Sequence, residues 1–387
     1  MTLKILSVDD EPDLEVLISQ KFRSKIRKGI YEFHFANNGL EALSKLVEVP
    51  DIDVILCDIN MPEMDGITLL AKINELKNKS LKTIMVSAYG DMDNIRAAMN
   101  GGAFDFATKP IDFNDLEATI EKAMAQIEYI KKAEKTHQQL ESIQNDLKVA
   151  KEIQQSILPK DFPAFPEIPS FDLYATMNAA KQVGGDFYDF FMVDDNHLGF
   201  IVADVSDKGI AASIYMAVSR TIIRATALKG LSPNECLEYS NNLLSKDNAN
   251  SMFVTVFYGL LDLESGMVKY CNAGHNPPCL IKTDGSTEYG PVTGDLVIGV
   301  MEDMPYKEAE FTMAPGESLF LFTDGVTEAL DVNDALYHES RLEEVLKNTQ
   351  TLTPKEVVDK VTVNLSEFTK GAEQSDDITM MSITYNP

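Results

Sequence analysis

Short apolar runs recur through residues 1–110 at LKILSV, YEFHF, DVILC, KTIMVS and AFDFAT, and amphipathic stretches fill the gaps between them. Runs of that length alternating with helical periodicity predict parallel strands joined by crossover helices. Five of them predict a doubly wound α/β domain, with a parallel five-stranded sheet, over residues 1–120. In such sheets ligands bind outside the carboxyl ends of the strands, which is where the acidic residues fall.

The next stretch has a different period. Between Phe113 and Leu158 the chain has neither glycine nor proline, so one helix is allowed across the whole segment. Its apolar positions fall in two phases. Leu116, Ile120, Ala123, Ile127 and Ile130 alternate four and three apart, whereas Leu140, Ile143, Leu147, Ala150 and Ile157 keep a second heptad phase offset by three. That offset is a stammer, which overwinds a coiled coil locally. Glu134 and His137 place polar side chains on the first phase. The pattern predicts a helical coiled-coil linker over residues 113–158 that pairs in a homodimer and is weak in its middle. The other reading is a single amphipathic helix packed on its own domains.

PKDFPAFPEIPS then ends the helix and opens a third segment, residues 159–387. Strand-like runs at FDLYATM, LGFIVADV, FVTVFYGLL and SLFLFT surround helical stretches near residues 210–228, 233–245 and 354–368. Runs of strands with paired helices predict an α+β layered β-sandwich flanked by helices.

Composition narrows the function classes. A hydrophobic content of 44% with 25% charged residues suits a folded globular chain. The formal net charge of -27 repels phosphate backbones and anionic lipid, and no local Lys/Arg cluster overrides it, so nucleic acid and membrane are not expected as partners. The charge suits either cation-requiring chemistry or a basic protein partner, or simply solubility. Cys57, Cys236, Cys271 and Cys279 form no CxxC pair and read as reduced core thiols. Lys4 and Asp9 interrupt any N-terminal apolar core, and no run is long enough to span a bilayer, so a cytoplasmic location is expected.

Two acidic constellations carry the chemistry. In the first, Asp9 and Asp10 follow the first strand and Asp58 the third, converging at one sheet edge where oxygen-only donors suit magnesium. Ser87 and Lys109, ending the fourth and fifth strands, would supply a hydroxyl and a cation to a phosphoryl group on Asp58. The ordered phrases VDDEP, CDINMPEMDG, VSA and TKP closely resemble the receiver domain of bacterial two-component response regulators, over about residues 1–120. The resemblance implies Asp58 as phosphoacceptor, a Mg²⁺ held by Asp9, Asp10, Asp58 and the Asn60 carbonyl, Ser87 and Lys109 as phosphoryl contacts, and Phe106 as the switch aromatic. It also implies a cognate histidine kinase as partner.

The second constellation is VGGDFYDF, FIVADVSDKG, LFLFTDGVTEA and QSDDITMMSI, where apolar strands run into or out of aspartate. If Asp186, Asp204, Asp324 and Asp376 met without a cation, each would lose hydration and add repulsion. A two-metal centre removes both costs, and the absence of histidine from the cluster favours Mg²⁺ or Mn²⁺ over zinc. Two such ions can ready a water for in-line displacement at phosphorus with no protein nucleophile.

With AKEIQQSILP and NAGHNPP, these phrases resemble the metal-dependent phosphatases (PPM) of the protein phosphatase 2C superfamily, in their SpoIIE-type branch, over about residues 149–385. The resemblance implies Asp186, Asp204, the Val205 carbonyl, Asp324 and Asp376 around two Mn²⁺ or Mg²⁺ ions, with Asp204 bridging both. Asp377, Asp189 and Glu328 stand behind these ligands. His275, in a loop beside NPP, reads as a structural hydrogen-bonder, and Asp207 stands where many relatives have glycine.

The expected function is a response regulator whose output is a serine/threonine protein phosphatase, acting on a phosphorylated STAS-type anti-sigma factor antagonist or similar phosphoprotein. The rival is a phosphorylation-gated adaptor that sequesters a partner without hydrolysis.

Overall fold

The structure is a computed structural model that describes residues 2–88, 91–246, 248 and 250–387. Two compact units, Met1–Ile143 and Gln144–Pro387, divide inside one long helix.

In the first unit β1 (Leu3–Val8), α1 (Pro12–Lys21), α2 (Arg23–Arg27), β2 (Tyr31–Ala36), α3 (Gly39–Glu48), β3 (Val54–Asp58), α4 (Gly66–Glu75), β4 (Lys82–Ala88), α5 (Met92–Asn100) and β5 (Asp105–Lys109) follow in order. The strands form one parallel sheet, β2-β1-β3-β4-β5. Successive side chains point to opposite faces, so Leu6, Ile55, Cys57 and Met85 pack under α3, α4 and α5, while Ile5, Val54, Leu56 and Ile84 face the other way. Both faces are covered, which is why central β3 is buried throughout rather than alternating. Asn38 and Asp65 cap α3 and α4, accepting from Glu41 N at 2.9 Å and Thr68 N at 2.7 Å.

α6 (Phe113–Ile157) is one helix, as the sequence predicts. Its first apolar phase serves a different purpose from the one expected. Leu116, Ile120, Ala123 and Ile127 are buried with Ile18, Phe22 and the second sheet face, so this phase completes the first unit's own core and is not half of a dimer seam. Polar ties follow the same face: Lys25 pairs with Glu117 and Glu121, and Lys131 reaches buried Asp53 at 2.6 Å. Residues 132–146 are exposed, and Leu140 and Ile143 of the second phase lie among them. The offset between phases therefore marks where a packed helix becomes a free one.

The second unit contains β6 (Phe171–Asn178), β7 (Phe187–Met192), β8 (His197–Val205), α7 (Ile210–Ala227), α8 (Pro233–Lys246), β9 (Val254–Asp262), β10 (Met267–Ala273), β11 (Cys279–Ile281), β12 (Thr287–Tyr289), β13 (Ala309–Thr312), β14 (Ser318–Phe322), α9 (Asp324–Thr327), α10 (His338–Leu346), α11 (Pro354–Phe368) and β15 (Ile378–Tyr385). Two antiparallel sheets, β13-β10-β9-β8-β7 and β12-β11-β14-β15-β6, pack face to face. Phe200, Phe257 and Tyr258 from one sheet and Leu173, Leu319 and Met381 from the other belong to a single core. α7 and α8 add Met216, Ile223 and Leu237 to it, whereas α10 and α11 cover Phe320, Phe322 and Met380 on the outer face of the second sheet. The result is the expected layered sandwich flanked by helices. No helix among the described residues is long and apolar enough to cross a membrane.

Candidate functional site

The acids of the second unit are delivered by strand ends. Phe187 pairs with Ala203 in the β7–β8 hairpin, and continuing that antiparallel register brings Asp186 opposite Asp204, which itself pairs with Thr255 on β9. On the other sheet β14 runs through Thr323 into the short helix that starts at Asp324, and Asp376 and Asp377 lead into neighbouring β15. Thr323 locks the two ends together: its N–H donates to the Thr379 carbonyl at 3.0 Å, and its hydroxyl accepts from Thr379 N at 3.0 Å and donates to Asp186 Oδ2 at 2.7 Å. Glycines make the approach possible. A Cβ on Gly325 would overlap the Asp377 carbonyl, and one on Gly185 would lie 2.8 Å from the Val205 carbonyl oxygen.

Electrostatics single out the same group. Burial, then Asp204 and Asp377, hold the Asp186 carboxyl well above the usual carboxylate range, although Thr323 donates to it. Burial and then Asp324 push Asp204 up to about 7, against a hydrogen bond with Asp186. Burial, Asp376 and Glu328 raise Asp324 as well. Among the described residues no ion pair forms to Asp186, Asp204 or Asp324, and the one cation at the group is Lys208, whose Nζ lies 2.9 Å from Asp376 Oδ2. Carboxylates largely shielded from water, with Asp204 raising Asp186, Asp324 raising Asp204 and Asp376 raising Asp324, call for a cation, and an oxygen-only donor set fits a hard divalent one.

The remaining acids divide. Asp377 is buried and accepts from Ala180 N at 2.8 Å and Gly185 N at 2.6 Å, so it fixes the backbone that carries Asp186. Glu328 is exposed one turn beyond Asp324. Asp189, expected behind the metal ligands, is instead clamped by two arginines of α7, Arg224 Nη1 at 2.7 Å and Arg220 Nη2 at 3.0 Å. β7 alternates faces, so three residues on from Asp186 the side chain meets the helix layer. His275 is buried, with Nδ1 2.8 Å from the Thr255 hydroxyl, and burial pushes it down to about 4. It is the structural hydrogen-bonder the sequence predicts. Asp207 is exposed and accepts from Lys208 N at 2.9 Å.

In the first unit Asp9, Asp10 and Asp58 each offer an oxygen within 4.8 Å of the others, the one three-acid group this tight among the described residues. Lys109 joins them, with Nζ 2.8 Å from Asp58 Oδ2, 3.0 Å from Asp9 Oδ2 and 2.9 Å from Glu11 Oε1. Burial raises the Asp9 carboxyl, against hydrogen bonds from the Glu11 backbone and from Lys109. A Cβ on Gly66 would overlap the Asp58 carbonyl, so the loop after β3 closes tightly on the strand end. Asn60 is exposed in that loop. Ser87 is buried at the end of β4 with its hydroxyl 3.5 Å from Asp91 Oδ2, and Phe106 is exposed on β5. Three carboxylates and a lysine at one strand edge fit a magnesium ion beside an acceptor carboxylate.

Two residues at the second site escaped the sequence reading. Lys208 had no signal, because its acidic partner is far away along the chain. Gln154 had one: it falls seven residues after Leu147, a polar residue at a seam position. It is buried, and its side-chain amide donates to Gly184 O at 2.6 Å and accepts from Gly184 N at 3.1 Å.

Comparison with known proteins agrees with this division. Residues 5–121 match the family described as response regulator receiver domain, and residues 194–386 match Stage II sporulation protein E (SpoIIE). Protein IcfG of Synechocystis sp. is 29% identical over 269 residues, covering 62% of this chain and 42% of that protein. Phosphoserine phosphatase RsbU of Bacillus subtilis is 28% identical over 249 residues, covering 63% of this chain and 72% of that protein. The chain thus matches less than half the length of the first of these relatives. Among solved structures, the SiaA-PP2C domain of Pseudomonas aeruginosa shares the fold, with a TM-score of 0.56 at 20% identity, covering 64% of this chain and 98% of that one.

Proposed function

The chain is a response regulator receiver domain joined to a domain of the SpoIIE family, and on that premise we propose that it is a metal-dependent protein phosphatase governed by phosphorylation of Asp58. The observation that carries the catalytic reading is buried Asp186 beside half-buried Asp204, the first raised by burial and by Asp204, the second by burial and by Asp324, with no ion pair to either among the described residues. The similarity to a relative named phosphoserine phosphatase supports it.

In this reading residues 1–120 receive the signal, 113–158 transmit it and 159–387 carry the phosphatase. Asp186, Asp204, the Val205 carbonyl, Asp324 and Asp376 would hold two Mn²⁺ or Mg²⁺ ions. Bound there, such ions supply Lewis acidity toward the phosphoryl group and acidify water. The chain's own residues prepare their place. Thr323 orients Asp186, Asp377 fixes the backbone at Gly185, and Gly325 lets the two strand ends meet.

At the other end Asp58 accepts a phosphoryl group from a cognate histidine kinase, with a Mg²⁺ at Asp9, Asp10 and the Asn60 carbonyl. Lys109, already bound to Asp58, and the Ser87 hydroxyl meet the added charge, and Phe106 answers it. The substrate is a phosphoserine or phosphothreonine on a STAS-type anti-sigma factor antagonist or a similar protein. The second phase of α6, exposed at Leu140 and Ile143, supplies the seam of a homodimer.

The test is release of phosphate from p-nitrophenyl phosphate by the full chain with and without Mn²⁺. Mn²⁺-dependent turnover that disappears in Asp204→Ala is expected. Binding of a partner protein with no turnover in the wild type would replace the phosphatase by an adaptor.

A further inference from the structure

Lys208 sits in the turn between β8 and α7, directly after the strand that ends with Asp204 and Val205. The turn is built to point it. Asp207 and Gly209 on either side both adopt the left-handed region, with φ of 75° and 89°, and the Asp207 carboxylate accepts the Lys208 N–H at 2.9 Å. A non-glycine residue at positive φ is uncommon, so this conformation is one that surrounding interactions have to hold.

From there the side chain crosses to the loop ahead of β15. Its ammonium lies 2.9 Å from Asp376 Oδ2 and donates to the Ser375 carbonyl at 2.8 Å. Both partners are partly open to solvent, at 39% and 28% side-chain exposure, so the pair can separate without opening the core. The ammonium thus contacts the carboxylate oxygen that a metal ligand at this position would offer.

We infer that Lys208 is a built-in counter-ion that competes with a divalent cation for Asp376, and so sets the affinity of the ion held by Asp324 and Asp376. The inference rests on the two-ion reading above. An ammonium and a divalent ion on one carboxylate repel each other, so occupancy by one weakens the other. Lys208 keeps Asp376 paired and the Ser375 carbonyl tethered until an ion arrives, and the ion must displace it. The cost of that displacement appears directly in the ion's dissociation constant.

Calorimetric titration of Mn²⁺ into the metal-stripped full-length protein tests this on the wild type, Lys208→Gln and Lys208→Arg. The N-terminal acids contribute equally to all three titrations and cancel in the comparison. Removing an exposed ion pair of this kind should tighten the C-terminal ion in Lys208→Gln by about threefold to fivefold. Lys208→Arg, which keeps the charge, should stay close to the wild type. Equal or weaker binding in Lys208→Gln, with the wild type still binding, overturns the inference alone. Failure of all three proteins to bind Mn²⁺ at the C-terminal acids removes the two-ion reading and the inference together.

Discussion

At the scale of single residues, the informative quantity is how an acid is buried rather than how many acids there are. Asp186 and Asp204 are shielded from water and face other carboxylates, whereas Asp189, also buried, is paired with Arg220 and Arg224. Only the first pair asks for an ion. Losing one of its carboxylates should cost several kcal/mol of transition-state stabilisation, about a hundredfold or more in turnover of Asp204→Ala by the p-nitrophenyl phosphate assay. His275 makes a separate expectation. Its folded pKa of about 4 lies below the ordinary 6.5, so its contribution is complete above 6.5 and is lost as pH falls toward 4. The loss amounts to about 3 kcal/mol. Urea unfolding at pH 7.5 and 4.5 should therefore show a shallower acid loss in His275→Gln than in the wild type; parallel losses would count against a buried neutral imidazole. The acids at strand ends were legible because an apolar run ending in aspartate is conspicuous. Lys208 was not, because its role exists only once residues 208 and 376 are brought together by the fold.

At the scale of elements, α6 shows both the reach of periodicity and its limit. A helix without breakers and with two apolar phases was readable from spacing alone, but spacing does not say whether a phase meets another chain or its own domain. Leu116, Ile120, Ala123 and Ile127 meet their own domain. The second phase keeps the dimer reading: Ile143→Glu should weaken self-association in sedimentation experiments, and an unchanged mass would assign that phase elsewhere. At its far end α6 is tied to the rest of the second unit by Gln154, which makes two hydrogen bonds to the Gly184 backbone. Gln154→Ala leaves both backbone groups unpaired in a buried setting, at a cost of about 1–3 kcal/mol. For a unit of this size that lowers the melting temperature by about 2–4 °C per kcal/mol, readable by calorimetry. Several elements escaped the sequence, among them β10, α10 and two very short strands. β11 and β12 have three residues each, too few for an alternation to register, and their pairing is set by turn geometry and the neighbouring strand.

At the scale of the whole molecule, the sequence specified two kinds of architecture better than it specified how their parts connect. Five buried runs with helices between them admit few arrangements besides a doubly wound parallel sheet. The sandwich was readable as a class, but its strand order, which places Asp186 and Asp204 on one sheet and Asp324 and Asp376 on the other, depends on long-range pairings that no local pattern records. The net charge of -27 suits a chain with two proposed acidic sites for divalent ions, and equally one kept in solution by its charge. The two units are joined by one proposed link, in which a phosphoryl group on Asp58 changes the output of the acidic site in the second unit. The most direct measurement is the rate of Mn²⁺-dependent phosphate release by the full chain with and without a small-molecule phosphoryl donor for Asp58, with Asp58→Asn as control. A rate that differs between the two states and is indifferent to the donor in Asp58→Asn is the expected result; identical rates in the wild type, or no Mn²⁺-dependent release in either state, would contradict the account.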